Sequence, residues 1–126
     1  MNPLLEHKWE KRILVFSASS PKSIGYKRQE QLLTKGKKGM KERDLIIYKL
    51  YDDHWLDPNG DPLTQDQAAA IRKSYDIPER EFTVILIGKD GGVKLRKTDI
   101  VEPREIFALI DTMPMRMQEM RIDSID

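Results

Sequence analysis

The chain has 126 residues, of which 39% are hydrophobic and 34% are charged, and its formal net charge is +1 at pH 7. This length and composition predict one globular domain with a polar surface, and the small net charge creates no global field that would recruit nucleic acid or an anionic membrane. The absence of cysteine excludes disulfide bonds, zinc thiolates and thiol nucleophiles.

Charge is distributed unevenly along the chain. The first 50 residues contain twelve Lys/Arg and five Asp/Glu, whereas the remainder contains ten and sixteen. The two halves either pair internally, if they interleave in one sheet, or leave a bipolar surface. No apolar run approaches the roughly 18–20 residues of a membrane span. The N-terminus lacks the layout of a signal peptide, so we expect a periplasmic or secreted location if a leader was removed and a cytoplasmic location otherwise.

The first half of the chain predicts a strand, a helix and a second strand after a lead-in over residues 1–11. Ile13–Phe16 is a short apolar run bounded by turn residues, which is typical of a strand buried on both faces. Residues 22–42 form a basic helix with a thin apolar stripe, which Gly36 to Gly39 bend or end. Asp44–Leu50 is rich in β-forming residues and follows at the distance of a right-handed crossover.

The middle of the chain predicts a loop, a helix and a central strand. Residues 51–62 are rich in Asp, Asn, Gly and Pro, as loops are. Thr64 and Gln67 have the spacing of a capping box, which predicts a helix that ends near Tyr75. Phe82–Ile87 is the strongest strand signal in the chain.

The last third predicts a hairpin and closing helices. Asp90-Gly91-Gly92 supplies the positive-φ residues of a tight turn, and Val93–Lys97 alternates apolar and basic residues as an edge strand does. A helix begins near Pro103. Met113-Pro114-Met115 interrupts it, and a second short turn or helix follows, with a frayed tail over residues 122–126.

The order of these elements is βαβαββα, which is the order of the thioredoxin core. We therefore predict one thioredoxin-like α/β domain over residues 1–126, with a mixed four-stranded sheet between layers of helices. Ile13 to Ser20 resembles the first core strand of thioredoxins where it runs into their redox loop. Ser74–Ile77, leading into Phe82 to Gly91, resembles the approach to their third strand and its hairpin.

A closer resemblance covers nearly the whole chain. Trp9–Phe16, Glu42–Leu45, Leu86–Arg96 and Ile110–Arg116 are similar to the pattern of domain-of-unknown-function family 4174, a bacterial group related to domains of vertebrate sushi-repeat and secreted matrix proteins. The resemblance implies a thioredoxin-like fold and an envelope or extracellular setting. It implies no established activity.

The thiol site of thioredoxins is absent from this sequence. Thioredoxins hold a low-pKa thiol at a helix N-terminus directly after the first strand. Here that stretch reads Ser-Ser-Pro-Lys-Ser-Ile, so Pro21 and Ile24 occupy the two cysteine positions. The position of the cis-proline of thioredoxins falls on Thr83. A serine hydroxyl is far less acidic than a thiol and forms no disulfide, so we predict neither thiol oxidoreductase nor peroxiredoxin activity.

The first function hypothesis is a non-catalytic module that binds a protein partner through its basic helix or its Met-rich C-terminal segment. Methionine is soft and adaptable, so an exposed Met strip marks a partner surface. The alternative is that these side chains form a lid over the core, with ion pairs among Asp111, Arg116 and Glu119 fixing the turn. The candidate partner surface comprises Met113, Met115, Arg116, Met117 and Met120.

The second hypothesis is a small-anion or small-ligand binder, or an enzyme that uses no thiol. Its site is the loop after the first strand, where hydroxyls and helix N-terminal amides can hold an anion. The alternative is a loop that only caps the helix. The candidate residues are Ser17, Ser19, Ser20 and Ser23, with Arg80 and Thr83 nearby.

The sequence predicts no cofactor and no metal site. His7 and His54 are far apart, and Asp57–Asp61 lacks the Gly and Glu that a calcium loop needs at its sixth and twelfth positions. Tyr26 is the one aromatic residue within the basic helix, so the helix offers no platform for stacking bases. The sequence therefore disfavours nucleic acid as a partner, and it does not specify the oligomeric state.

We predict that the purified domain shows only background rates in insulin-reduction and peroxide-consumption assays, because no sulfur nucleophile is available to exchange electrons. The control is the same assay with a thioredoxin at equal concentration. Activity above background that persists through repeated purification would refute the exclusion.

Overall fold

The computed structural model describes residues 2–22 and 24–125, with Ile24 and residues 123–125 described by their backbone alone. These residues form a 3₁₀-helix at Pro3–His7, five strands and five α-helices. The strands are β1 (Arg12–Ser17), β2 (Leu45–Leu50), β3 (Trp55–Leu56), β4 (Thr83–Ile87) and β5 (Val93–Lys97). The helices are α1 (Ile24–Lys35), α2 (Lys37–Glu42), α3 (Gln65–Tyr75), α4 (Pro103–Asp111) and α5 (Pro114–Ile125).

The strands form one mixed sheet in the order β3-β2-β1-β4-β5. β1 pairs with β2 in parallel and with β4 antiparallel, and β4 pairs antiparallel with β5. This arrangement confirms the predicted thioredoxin-like class. The predicted strand count of four differs from the five observed. The additional strand, β3, has two residues and pairs with Lys49 and Leu50, and so short a segment within a Pro- and Asp-rich loop carries no periodic signal.

Both faces of the sheet are covered, because alternate residues of the central strands enter two separate cores. Leu14 and Phe16 of β1 pack with Leu33 of α1 and Ile106 of α4. Ile13 and Val15, together with Ile71 of α3, belong to the second core. Strands buried on both faces read as continuous apolar runs, which is why β1 and β4 were recognisable in the sequence.

The basic segment, predicted as a helix over residues 22–42 that Gly36 to Gly39 bend or end, forms two helices, α1 and α2. The break falls at Gly36, within the segment expected to bend or end it. A Cβ at Gly36 would lie 2.8 Å from the Pro103 Cβ, a separation that Cβ atoms do not adopt. Glycine therefore permits α4 to pack closely at this point.

A buried glutamine joins α1 to the segment that precedes α4. The Gln29 Nε2 donates to the Val101 carbonyl oxygen at 2.6 Å, and its Oε1 accepts from the Val101 N–H at 2.7 Å. Gln29 is fully buried, so these two bonds satisfy polar atoms on both residues. Sequence analysis gave Gln29 no role and missed this contact.

The fraying of residues 122–126 stays a prediction, and α5 extends over Pro114–Ile125. Asp126 lies outside the described residues. Arg116 pairs with Asp111 of α4, and Glu119 pairs with Arg12 of β1 and with Lys89 beyond β4, so the first turns of α5 are anchored to the rest of the domain.

The β4–β5 hairpin has the predicted turn chemistry. Gly91 has a φ of +86°, a value that residues with a Cβ rarely adopt. Its N–H donates to the Gly88 carbonyl oxygen, and Gly88 in turn donates to the carbonyl oxygen of Gly92.

We expect Gly91→Val to destabilise the domain by about 1–3 kcal/mol, because a β-branched side chain is strained at positive φ. A Cβ at Gly91 meets no atom closer than 3.7 Å. The loss of stability therefore comes from backbone strain and not from a steric clash. Urea denaturation measures the change. Gly25→Ala is the control, because Gly25 is helical and its Cβ position is open, and it should be neutral or stabilising. Equal stability of wild type and Gly91→Val would contradict the expectation.

Candidate functional site

The loop that follows β1 is where a thioredoxin would carry its thiol. Ser17 and Thr83 face each other in the register of β1 and β4, and both are buried. Ser19 is exposed, and the Ser20 hydroxyl accepts from the Lys22 N–H at 3.1 Å. The structure thus brings Ser17 and Thr83 together and leaves the other two serines in the turn.

Arg80, another residue of the predicted anion site, does not join this group in the described structure. Arg80 is exposed and has a φ of +63°, and no contact of its side chain with Ser17 or Thr83 is present in the described part of the chain. Ser23 lies outside the described residues.

Arg72 of α3 closes the same end of the sheet. Its Nη1 donates to the Ser17 hydroxyl at 2.9 Å and to the Pro78 carbonyl oxygen at 3.0 Å, and its Nη2 donates to the Tyr51 carbonyl oxygen at 3.4 Å. Burial lowers the pKa of Arg72 from its ordinary value, although an arginine remains protonated at physiological pH. The guanidinium therefore bonds to protein oxygens at the place where a small anion was expected.

The Met-rich segment divides between core and surface. Met113 is half-buried and packs against the first core. Met115 and Met117 are 37% and 51% exposed, and Met120 is half-buried. Arg116 is only 3% exposed, so it lies beneath the strip. The lid and the surface hypotheses thus each describe part of the segment.

A buried ionic network lies beneath this segment, and we call it the Glu119 cluster. Arg12 is 1% exposed and Lys89 is 7% exposed, and both donate to the Glu119 carboxylate. The Lys89 Nζ lies 2.7 Å from the Glu119 Oε2, and the Arg12 Nη1 lies 3.1 Å from the Oε1. The cluster contains the cations Arg12, Arg43, Lys89 and Arg116 and the anions Glu42, Asp44, Asp111 and Glu119.

A second carboxylate pairs with two of these arginines. The Asp111 Oδ1 accepts from the Nε of Arg43 and from the Nε of Arg116, each at 3.0 Å, and its Oδ2 accepts from the Arg43 Nη2 at 2.8 Å. The guanidinium of Arg43 also lies 4.3 Å from the centre of the Phe107 ring. The end of α4 is thus joined to Arg43, which follows α2, and to the start of α5, and the predicted ion pair of Asp111 with Arg116 is present.

Two carboxyl groups of the cluster, those of Asp111 and Glu119, are held in their charged form. Hydrogen bonds from Arg43, and next from Arg116, lower the pKa of Asp111 despite its partial burial. Burial alone would raise the pKa of Glu119, but the hydrogen bonds from Arg12 and Lys89 outweigh it and hold that pKa below its ordinary value. Both anions therefore stabilise the folded state at neutral pH.

A cleft of about 530 Å³ opens beside the cluster, between the N-terminal segment and the α4–α5 turn. We call it the Trp9 cleft. Trp9 is 58% exposed and has a φ of +74°, an outlier for a bulky residue. Its N–H donates to the Lys89 carbonyl oxygen at 2.6 Å. The apolar lining is formed by Trp9, Leu109, Met113, Pro114 and Met115.

The polar lining of the Trp9 cleft is mainly cationic. Arg12, Lys89 and Lys94 line it together with Asp90. Asp90 is paired with Lys94 at 2.9 Å. The Arg12 Nε is buried and has no hydrogen-bond partner in the described structure. The cleft therefore combines an apolar wall with buried positive charge.

Sequence analysis identified part of this site. It named Met113, Met115 and the ion pairs of Arg116, because a Met-rich segment after a broken helix is unusual. It missed Lys89, because the neighbouring glycines already explained this stretch of the sequence as a hairpin turn. It also missed Arg12. The one available signal was the position of this arginine, directly before an apolar run that predicts a strand buried on both faces.

The fold and the absence of cysteine define a thioredoxin-like α/β domain without the thiol site. Residues 3–119 match the family described as "Domain of unknown function (DUF4174)". The chain belongs to this family.

Curated relatives are much longer than this chain. It is 28% identical over 137 residues to Coiled-coil domain-containing protein 80 of Danio rerio, covering 96% of this chain and 16% of that protein. It is 29% identical over 121 residues to Sushi repeat-containing protein SRPX of Homo sapiens, covering 93% of this chain and 26% of that protein. The chain thus spans about a sixth to a quarter of the relatives that it matches.

Solved structures share the fold at low sequence identity. The reduced 2-Cys peroxiredoxin of Plasmodium vivax superposes with a TM-score of 0.62 at 14% identity, covering 91% of this chain and 84% of that one. A structure titled "Structure of a malarial protein" superposes with a TM-score of 0.54 at 16% identity, covering 81% and 96%. These similarities concern the fold alone.

Neither a membrane-spanning helix nor a metal-binding group of side chains is present in the described residues. No helix within residues 2–22 and 24–125 is long and apolar enough to cross a membrane. Within the same residues, no group of three or more His, Asp or Glu side chains is arranged to hold a metal ion.

We expect Glu119→Gln to lower the free energy of unfolding by about 3 kcal/mol near pH 7, because it leaves two buried cations without their shared counter-charge. Since folding lowers the pKa of Glu119, its contribution is complete above its ordinary pKa of 4.5 and is lost as the pH falls through the lower folded value. The difference between wild type and variant should therefore shrink in acid.

Urea denaturation of both proteins between neutral pH and about pH 3 measures this difference. Glu102→Gln is the matched control, because Glu102 pairs with the exposed Arg104 on the surface and should cost at most about 1 kcal/mol. A Glu119→Gln deficit that stays constant across this range would contradict the assignment.

Proposed function

We propose that this domain is a protein-binding module that acts without thiol chemistry and holds a segment of its partner in the Trp9 cleft. The partner segment presents one bulky apolar side chain next to an Asp or Glu. The observation that carries the proposal is the exposure of Trp9 and Met115 on the rim of a cleft that also contains buried cations.

The apolar wall fits an anchor side chain of the partner. Large apolar residues on a surface cleft mark interaction sites, and aromatic residues and methionine are enriched where protein interfaces are buried. The unbranched side chain of Met115 can adjust to the shape of a partner. Trp9 is held on the rim by a strained backbone, and such strain is found where a side chain serves a binding role.

The positive charge fits a carboxylate beside that anchor. Glu119 satisfies part of the bonding capacity of Arg12 and Lys89, whereas the Arg12 Nε has no partner in the described structure. An unsatisfied buried donor costs free energy that an incoming acceptor recovers. Asp90 pairs with Lys94 at the edge of the cleft, so the donor left for a partner is the Arg12 Nε, and an acidic residue is favoured over a basic one.

The lengths of the relatives agree with a module. The chain corresponds to a fraction of Coiled-coil domain-containing protein 80 and of Sushi repeat-containing protein SRPX. A domain of this kind, carried within a larger chain, contributes a surface to that chain's assemblies.

Phage-displayed random linear peptides, selected on the purified domain, test the proposal. We expect the enriched peptides to share a bulky apolar residue flanked by Asp or Glu. Fluorescence anisotropy of a labelled peptide then gives its affinity. Met115→Asp should weaken binding at least about tenfold, the equivalent of 1.4 kcal/mol, because it places a repelling carboxylate on the wall.

Met117→Asp is the matched control, because Met117 is exposed on the same helix and does not line the cleft. It should bind within about twofold of wild type. A library without enrichment, or peptides that bind Met115→Asp as tightly as wild type, would overturn the proposal.

A further inference from the structure

The outer edge of β2 is largely unpaired within the described residues. β2 spans Leu45–Leu50, yet the strand on its outer side, β3, pairs only with Lys49 and Leu50. The edge of Leu45 to Tyr48 thus has no neighbouring strand on that side. An unpaired edge offers backbone donors and acceptors to an added strand.

The direction of the free backbone groups follows from the β1–β2 ladder. The Arg12 N–H donates to the Asp44 carbonyl oxygen at 2.9 Å, and the Ala18 N–H donates to the Leu50 carbonyl oxygen at 3.0 Å. Since backbone groups alternate along a strand, even-numbered residues of β2 face β1. The N–H and C=O of Leu45 and Ile47 therefore face outward.

A groove of about 510 Å³ runs along this edge. Its apolar side is formed by α1, α2 and the sheet, through Leu33, Met40, Ile47 and Leu56. Such side chains can receive the alternate apolar residues of an extended segment.

Lysines line the groove. Lys11, Lys37, Lys41 and Lys49 all border it, and the adjoining helices α1 and α2 are rich in Lys and Arg.

The carboxylates in the lining are largely committed to bonds within the chain. Asp44 bonds to Lys89 at 2.9 Å, and Asp57 accepts from the N–H groups of Asn59 and Asp61. Glu30 is the third. Four lysines face three carboxylates in the lining, and Lys89, outside the groove, also pairs with Asp44, so the net charge of the groove is positive.

We propose that this edge binds an extended acidic segment of a partner protein, which adds to the sheet as a strand beside β2. At about 3.3 Å per residue, the edge and its flanking lysines accommodate roughly five residues. Apolar side chains at the centre of the segment enter the groove, and carboxylates two residues away on either side, on the same face of the added strand, meet the lysines. This site shares no lining residue with the Trp9 cleft. The proposal for it is therefore independent of the function proposed above.

Two other occupants fit the groove less well. A second copy of this chain, paired edge to edge, would bring the two lysine-lined grooves together, and like charges oppose that contact. A nucleic acid would lack aromatic rings to stack on, since the lining contains none.

The test uses the peptide Glu-Ser-Val-Ser-Val-Ser-Glu with blocked ends, whose Glu and Val side chains share one face of a strand, and measures amide hydrogen exchange by NMR. We expect the peptide to slow exchange of the Leu45 and Ile47 amides at least about tenfold. The amides of Ile46 and Tyr48 already bond to β1, so they should change little. Unchanged exchange at Leu45 and Ile47 under saturating peptide would overturn the proposal.

Two N-methylated peptides separate strand pairing from simple charge attraction. Methylation on alternate residues removes the donors of one peptide edge or of the other. One pattern should abolish binding and the other should retain it, and equal binding by the two would contradict strand addition.

Charge variants complete the test. Lys37→Glu with Lys41→Glu should weaken the peptide at least about tenfold, whereas Lys27→Glu with Arg28→Glu, on α1 but outside the groove, should have a small effect. Equal losses in the two double variants would overturn the site. So would a single-stranded oligonucleotide that protects the same amides as strongly, or concentration-dependent dimerisation through this edge.

Discussion

The carboxylate of Glu119 is the counter-charge for two cations that the fold buries at one end of its central strand. Arg12 enters the core at the start of β1, and Lys89 lies directly beyond β4. A buried charge without a partner is strongly destabilising, so α5 has to lie where Glu119 reaches both. That placement fixes the α4–α5 turn, and the turn carries Met113 and Met115 to the wall of the Trp9 cleft. The candidate binding surface thus depends on an ionic contact that is itself hidden.

This surface lies at the opposite end of β1 from the place where thioredoxins carry their thiol. At that other end, Arg72 bonds to the Ser17 hydroxyl and to two carbonyl oxygens. The polar groups there stabilise the chain's own loops. A scaffold that shares the fold of a peroxiredoxin has, on this account, its interaction chemistry at the far end of the sheet and along the open edge of β2.

The elements with strong local signals were predictable from the sequence. β1 and β4 are continuous apolar runs, the Thr64–Gln67 capping box is present as expected, and Gly91 has the positive φ that its turn requires. Contacts between residues distant in sequence were not predictable, because a polar residue such as Gln29 or Lys89 has the same pattern whether it faces water or a buried partner. The two-residue strand β3 and the full length of α5 also depend on tertiary contacts, which override weak local preference.

Methyl NMR of the protein with ¹³C-labelled methionine tests the central claim most directly. Met113 and Met115 report on the Trp9 cleft, Met40 reports on the groove beside β2, and Met117 reports on the exposed face of α5. On titration with a peptide selected on the domain, the account predicts that the signals of Met113 and Met115 move together while those of Met40 and Met117 stay in place. Stationary Met113 and Met115 signals at a saturating peptide concentration would contradict it.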